Sequence, residues 1–239
     1  MRFDGKRILI TGASRGIGRA LALQLAAEGA EVLALARGSK ALDDLPEGIE
    51  RLACDLTDSR ARTALIAGLQ GQRLDGVINN AGIQITADFA NGTADAQDIE
   101  QELAVNLTAP MHLAAGLLPV LACSPGSFLV NVTSGLALAP KRQAPVYCAS
   151  KAGLRSFTRA LRYQAEDAGL RVRIIDCVMV LAATQMTAGR GRGKISPNAA
   201  AALLDGAAAG KSEIWVGQMK LLRLIHRLSP ALAARILRG

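Results

Sequence analysis

The chain has 239 residues, half of them hydrophobic and only 3% aromatic, which suits one α/β domain spanning residues 1–239 with an aliphatic core. Of the formal net charge of +8, the stretch from Arg190 onward carries +7, so the basic character belongs to the tail and not to a nucleic-acid-binding surface spread over the protein. No apolar run reaches the roughly eighteen residues of a transmembrane helix, residues 1–10 lack a signal-peptide cleavage site, and Cys54, Cys123, Cys148 and Cys177 are too scattered for zinc, a disulfide framework or a Cys-x-x-Cys centre, so a cytoplasmic protein with reduced thiols is expected.

A first strand, Arg7–Ala13, runs into the turn Thr11-Gly12-Ala13-Ser14-Arg15-Gly16-Ile17-Gly18 and then into a helix, Ile17–Glu28. Glycines at 12, 16 and 18 permit a tight turn, close approach of backbone to a pyrophosphate and close packing of helix on strand. The N–H groups at the positive end of the helix then face the anion. In this strand–turn–helix setting the glycines read as a dinucleotide-binding turn. The second strand, Glu31–Arg37, ends Leu35-Ala36-Arg37. An NAD site places a carboxylate there for the ribose 2′-hydroxyl. Arg37, with Arg15 from the turn, suits a 2′-phosphate instead, so NADP(H) is the expected cofactor.

Next come a strand at Ile49–Asp55, a helix at Ser59–Gln70 and a strand at Gly76–Ala81 that closes on Asn79-Asn80-Ala81-Gly82. The helix Asp98–Leu121 carries Asn106, a mediocre helix former. Pro110, four residues on, lacks the N–H that the Asn106 carbonyl would otherwise receive. The strand Ser127–Thr133 leads to Ser134, whose hydroxyl can hold a substrate oxygen and stabilise charge developing on it. Thr133, by alternation, points to the other face. In the helix Val146–Asp167, Tyr147 and Lys151 share one face. A free tyrosine, with a pKa of about 10, is a poor base near neutrality. A nearby ammonium and an oxidised nicotinamide both favour its phenolate, making Tyr147 the expected general acid/base. Strands at Arg171–Met179 and Glu213–Val216 follow. Apolar strands alternating with helices imply an α/β fold: a doubly wound parallel sheet of about seven strands with helices on both faces, a Rossmann fold. Ligands bind such sheets beyond the carboxyl ends of the strands.

These motifs, in this order and spacing, resemble the NADP-preferring, Rossmann-fold type of the short-chain dehydrogenase/reductase family. The resemblance covers roughly Gly5 to Thr184 and rests on Thr11–Gly18, Asn79–Gly82, Asn106, Ser134 and Tyr147-x-x-x-Lys151. It implies hydride transfer between NADP(H) and a small-molecule carbonyl or alcohol, with Asn106, Ser134, Tyr147 and Lys151 as the catalytic residues and no metal. It implies cofactor contacts from Gly12, Ser14, Arg15, Gly16, Ile17, Gly18 and Arg37, from Asp55 and Leu56 along the adenine, and from Tyr147 and Lys151 at the nicotinamide end. Asp55 equally fits a turn or capping role. Asn79, Ala81 and Gly82 are implied cofactor residues as well: Ala81 and Gly82 would let backbone approach a ribose, Asn79 could also brace neighbouring strands, and Thr184 would lie near the carboxamide and pyrophosphate. The family counterpart of Asn106 positions a water that links the lysine to solvent. A homodimer or homotetramer through the helices Asp98–Leu121 and Val146–Asp167 is also implied. The chain departs from the family at Met179-Val180, where Pro-Gly is usual, and a β-branched Val cannot readily take the φ values open to Gly. The alternative to an enzyme is a catalytically silent NADP-binding sensor or scaffold, against which the presence of Ser134, Tyr147 and Lys151 weighs.

In the family, substrate specificity is written between the last two strands, here 185–211. The run Thr187–Lys194 reads either as a lid whose Arg190, Arg192 or Lys194 recognises an anionic group or as a solvated loop. It is short and lacks the aromatics of a nucleic-acid segment. Met179, Met186 and Phe89 are candidate pocket residues, and Ser196-Pro197 reads as an N-cap and N1 pair before an Ala-rich helix. In the tail, 218–239, Leu221, Leu224, Ile225 and Leu228 form one helical face and Lys220, Arg223 and Arg227 another. Ser229-Pro230 then starts a second short helix with Leu232, Ile236 and Leu237. Packing on its own or a partner subunit is expected ahead of contact with an acidic membrane surface. The tail also resembles, without implying a substrate, the bacterial branch of the family named for the D-alanine esterification operon of Gram-positive cell walls.

Overall fold

The computed structural model of the protein describes residues 2–179 and 198–238, so Val180, Thr184, Met186, Arg190, Arg192, Lys194 and Ser196-Pro197 lie outside the described residues. Seven parallel strands form one sheet in the order β3-β2-β1-β4-β5-β6-β7. They are β1 Arg7–Thr11, β2 Glu31–Ala36, β3 Glu50–Ala53, β4 Gly76–Asn79, β5 Phe128–Ser134, β6 Arg173–Met179 and β7 Glu213–Trp215. The chain winds outward from β1 to β3, then crosses back to β4 on the other side of β1. That reversal opens a crevice at the carboxyl ends of β1 and β4. The β1–β4 ladder ends at Ile10 opposite Ile78, and beyond it the two chains part.

The strands read as continuous apolar runs because both faces of the sheet are covered. On one face, α1 (Gly16–Ala27) and α6 (Ala199–Ala208) set Leu21, Leu25, Leu203 and Leu204 against Ile8, Ile10, Val130 and Ile175. On the other, α2 (Ser59–Leu69), α4 (Ala109–Ala122) and α5 (Pro145–Asp167) set Leu69, Leu113, Leu117 and Leu161 against Leu9, Leu33, Val77 and Leu129. β1 to β4 each stop short of the sequence expectation at their carboxyl ends, because those residues peel away to wall the crevice. β5 runs one residue longer and carries Ser134 as its last position.

The helical stretch expected at Asp98–Leu121 begins at Ala96, where Asp95 caps α3 (Ala96–Leu103) by accepting from the N–H groups of Gln97 and Asp98. It passes through a single π turn, Ala104–Thr108, into α4, with the Ala109 N–H reaching back to the Ala104 carbonyl. Pro110 accounts for the widening: its ring would clash with the Asn106 carbonyl in a regular α turn, and it has no N–H to donate. By length and composition Ala96–Ala122 is apolar enough to cross a bilayer, although no uninterrupted apolar run marked it. Its Ala109, Leu113, Ala114, Leu117 and Leu121 are fully buried in this protein's own core. After α6, which starts at Ala199 behind Asn198, come β7, α7 (Met219–Leu228) and α8 (Pro230–Leu237). Met219, Leu222 and Ala233 close a small cluster over Val178 and Trp215.

Candidate active site

A cavity of about 530 Å³ lies in the crevice, walled by the glycine turn, the segments that follow β2, β3 and β4, the end of β5 and the start of α5. At one end Ser14, Arg15, Gly16, Ile17, Arg37 and Gly38 line it together. Gly12 and Gly16 sit at φ 69° and 59°, in the left-handed region that favours glycine. A Cβ on Gly12 would lie 2.9 Å from the Ala81 Cα. Gly18 serves packing instead: a Cβ there would collide with the Gly12 carbonyl and the Asn80 side chain. Arg15 provides no side-chain cap for α1, and no acid lies in the first turn, so an anion can be met by the leading N–H groups of that helix.

Thr11 joins the two sides of the crevice, a role its place in the turn motif did not reveal. Its Oγ1 accepts from the N–H groups of Asn80 and Ala81, both at 3.0 Å, and its carbonyl accepts from Asn80 Nδ2 at 3.0 Å. Ala81 and Gly82 line the cavity, whereas Asn79 is buried behind it. Asn79 Nδ2 donates to Asn131 Oδ1 at 2.8 Å, and Asn131 Nδ2 to Thr158 Oγ1 at 2.9 Å, so the pair braces β4, β5 and α5. Asp55 forms a turn by accepting from the Thr57 N–H and hydroxyl at 2.9 and 2.8 Å, and it lines the cavity beside Leu56. Buried Arg62 donates to the Leu56 carbonyl and to His112 Nδ1, tying this wall to α4.

At the other end Ser134, Tyr147 and Lys151 converge. The Ser134 hydroxyl accepts from the Leu136 N–H at 3.2 Å and lies beside the phenol of Tyr147, where it favours the phenolate. Lys151 Nζ donates to the Val132 carbonyl at 2.9 Å and lies 5.8 Å from the centroid of the Tyr147 ring. Burial lowers the Lys151 ammonium to about 8 against the opposing pull of the Glu102 and Asp176 carboxylates. Burial pushes the Tyr147 phenol up to about 12, and the Ser134 hydroxyl beside it opposes the rise.

Asn106 is fully buried and does not itself line the cavity. Its Oδ1 accepts from the Ile83 N–H at 2.9 Å, and its Nδ2 donates to the Ile83 carbonyl at 2.8 Å and to Ser150 Oγ at 3.2 Å. The side chain thus pins the segment after β4 to α5. A Cβ on Gly82 would lie 3.2 Å from Asn106 Oδ1 and 3.5 Å from Lys151 Nζ, so this glycine is required by the buried polar cluster as well as by the cavity. Thr133 turns to the opposite face and bonds to Asp176, which pairs with Arg155. Met179 lines the cavity, but Phe89 does not: the Asp88 carboxylate accepts from the Ala90 and Asn91 N–H groups, and the turn carries Phe89 out to 57% exposure.

Glu102 was not singled out in the sequence, yet it is buried one helical turn before Asn106. Its Oε1 accepts from the Ile85 N–H at 3.3 Å. Burial pushes its carboxyl up to about 7; the Ile85 hydrogen bond and the Lys151 ammonium oppose the rise, and Asp98 adds to it. A lone Glu in an amphipathic helix ordinarily reads as solvated. The available signal was phase: Glu102 falls on the same stripe as Asn106, Ala109 and Leu113.

The fold recurs in known proteins. The family model described as short chain dehydrogenase matches residues 6–194. An uncharacterized oxidoreductase, DltE, of Bacillus subtilis (strain 168) is 35% identical over 233 residues, 93% of this chain and 92% of its own. The benzil reductase ((S)-benzoin forming) of the same organism is 34% identical over 186 residues, 75% of this chain and 76% of its own. Among solved structures, a short chain dehydrogenase from Burkholderia cenocepacia J2315 in complex with NADP superposes over 100% of both chains with a TM-score of 0.89 at 25% identity. One from Sphingobium yanoikuyae in complex with NADPH covers 95% of both chains with a TM-score of 0.80, also at 25% identity. With the glycine turn, the Ser-Tyr-Lys convergence and a family match over most of its length, this chain belongs to the short chain dehydrogenase family of oxidoreductases.

Proposed function

We propose that the protein is an NADP(H)-dependent oxidoreductase that reduces a small-molecule carbonyl, or oxidises the corresponding alcohol, with Tyr147 as the general acid/base. The observation that carries this reading is one cavity joining the glycine turn, Arg15 and Arg37 at one end to Ser134, Tyr147 and Lys151 at the other. Gly12, the leading turn of α1 and the two arginines fit a dinucleotide carrying a 2′-phosphate, and the NADP and NADPH complexes of the Burkholderia and Sphingobium relatives support the choice. When bound, the nicotinamide supplies or accepts the hydride. The Ser134 hydroxyl holds the substrate oxygen beside the phenol, and Tyr147 gives that oxygen a proton during reduction. Lys151, charged below about pH 8, anchors the nicotinamide ribose. Asn106 acts by position: it holds the segment at residue 83 against α5, and its carbonyl has no α-helical donor to receive from Pro110.

A phenol pushed up to about 12 is protonated at neutral pH, the form that carbonyl reduction requires of its proton donor. Relatives named as reductases of benzil, D-erythrulose and L-xylulose are consistent with that direction. The test is an NADPH-oxidation screen over ketones including benzil, quinones, 3-oxoacyl esters and keto sugars, with Tyr147→Phe as control. Reduction of at least one class by the wild type alone is expected. NADPH binding with equal inactivity of both proteins on every compound would favour a silent NADP-binding role.

A further inference from the structure

The tail has two apolar faces, and among the described residues only one packs against the rest of the chain. Met219 and Leu222 face inward; a Cβ on Gly135 would collide with both, so α7 sits directly against the turn that follows Ser134. Leu221, Leu224, Leu228, Leu232 and Ile236 are all exposed, Leu228 to 76% and Leu221 to 59%. Spacings of three and four residues put Leu221, Leu224 and Leu228 in one stripe on α7, with Leu232 and Ile236 exposed four residues apart on α8 beyond the extended Ser229. Lys220, Arg223, Arg227, Arg235 and Arg238 accompany it, and no Asp or Glu follows Glu213 in the sequence. Arg223 stacks over Trp215, and Arg223 Nη2 lies 3.8 Å from Glu213 Oε2.

We infer that this stripe docks the protein on the surface of an anionic lipid bilayer, with the leucines at the acyl boundary and the cations among the headgroups. Charge selects this occupant. A second copy of the same tail, brought up by a two-fold axis, would set Lys220, Arg227, Arg235 and Arg238 against their own counterparts, with no carboxylate after Glu213 in the sequence to offset them. An anionic bilayer presents an apolar layer beneath a negative rim, which matches the leucines and the cations together. The far end of the tail is tied by its backbone to the segment between β5 and α5. The Arg238 carbonyl accepts from the Arg142 N–H at 3.1 Å, and the Gln143 carbonyl from the Ala87 N–H at 3.4 Å. The tail, the segment between β5 and α5 and the loop bearing exposed Phe89 are thus linked.

Co-sedimentation of the full chain with vesicles tests the docking without any turnover. Binding is expected to equimolar phosphatidylglycerol–phosphatidylcholine vesicles, to weaken with salt and to be absent with phosphatidylcholine alone. Leu224→Asp with Leu228→Asp, both at exposed positions, is expected to reduce partitioning by on the order of tenfold or more. Lys220→Glu with Arg227→Glu should do the same. Circular dichroism and solution NADPH oxidation of both variants should match wild type, which separates failure of the docking from failure of the proposed activity. Sedimentation with neither vesicle, or equally with both, overturns the inference. So does a concentration-dependent dimer that the leucine variant disperses while no lipid is bound, since that result assigns the stripe to a second copy.

Discussion

Lys151 lies within the electrostatic reach of two buried carboxylates, Glu102 from α3 and Asp176 from β6, and both hold its ammonium up against the cost of burial. Glu102 has its own pH signature. Its carboxyl rises from the ordinary 4.5 to about 7, so the folded chain holds the proton more tightly than the unfolded chain does. Between about pH 4.5 and 7 the unfolded state has released it and the folded state has not, and stability falls as pH rises through that window. Glu102→Gln keeps an acceptor for the Ile85 N–H and removes this slope. Its Tm should therefore gain on wild type between about pH 5 and 8, and parallel Tm curves would show that Glu102 is not the group responsible. The same variant lowers Lys151 further, so the alkaline limb of NADPH oxidation should move to lower pH. At the other end of the cavity Arg37 is exposed and carries the argument for NADP(H). Arg37→Asp is expected to weaken NADPH binding by about tenfold to a hundredfold and to improve NADH binding. Fluorescence titration with the two cofactors reads both, and an unchanged NADPH affinity would remove Arg37 from the site.

The glycine turn shows how one element depends on a missing side chain. Gly18→Ala would force a methyl into the Gly12 carbonyl and Asn80, so it should cost about 1–3 kcal/mol and loosen NADPH binding. Gly68→Ala in α2, where nothing lies within 4 Å, is the control and should leave Tm unchanged or slightly raised; calorimetry of the pair distinguishes packing from helix propensity. Periodicity and turn chemistry made this turn, all seven strands and the main helices legible in the sequence, because those signals are local. What escaped it was tertiary. Asp95 caps α3 ahead of the helix start expected at Asp98, and Pro110, which leaves the Asn106 carbonyl without its α-helical donor, opens a π turn. Asn106 and Glu102 were a helix amide and an unremarked acid until the segment 83–85 folded over them. Phe89 was placed in the pocket on character alone, and a local Asp88 turn carries it outside.

At the scale of the molecule, the strand order brings the described cavity-lining groups to the carboxyl ends of the strands. The turn after β1, the arginine after β2 and the Asn-Ala-Gly segment after β4 wall one crevice with Ser134 at the end of β5 and α5 beside it. The central claim is that this crevice moves a hydride from NADPH to a carbonyl carbon while Tyr147 protonates the oxygen. The direct measurement follows deuterium from NADPH labelled at nicotinamide C4 into the alcohol products of the carbonyl panel, for wild type and Tyr147→Phe. Label is expected in at least one wild-type product, formed about 10²- to 10⁴-fold more slowly by the variant at unchanged NADPH affinity. Label in no product, or equal rates from the two proteins, would contradict the account.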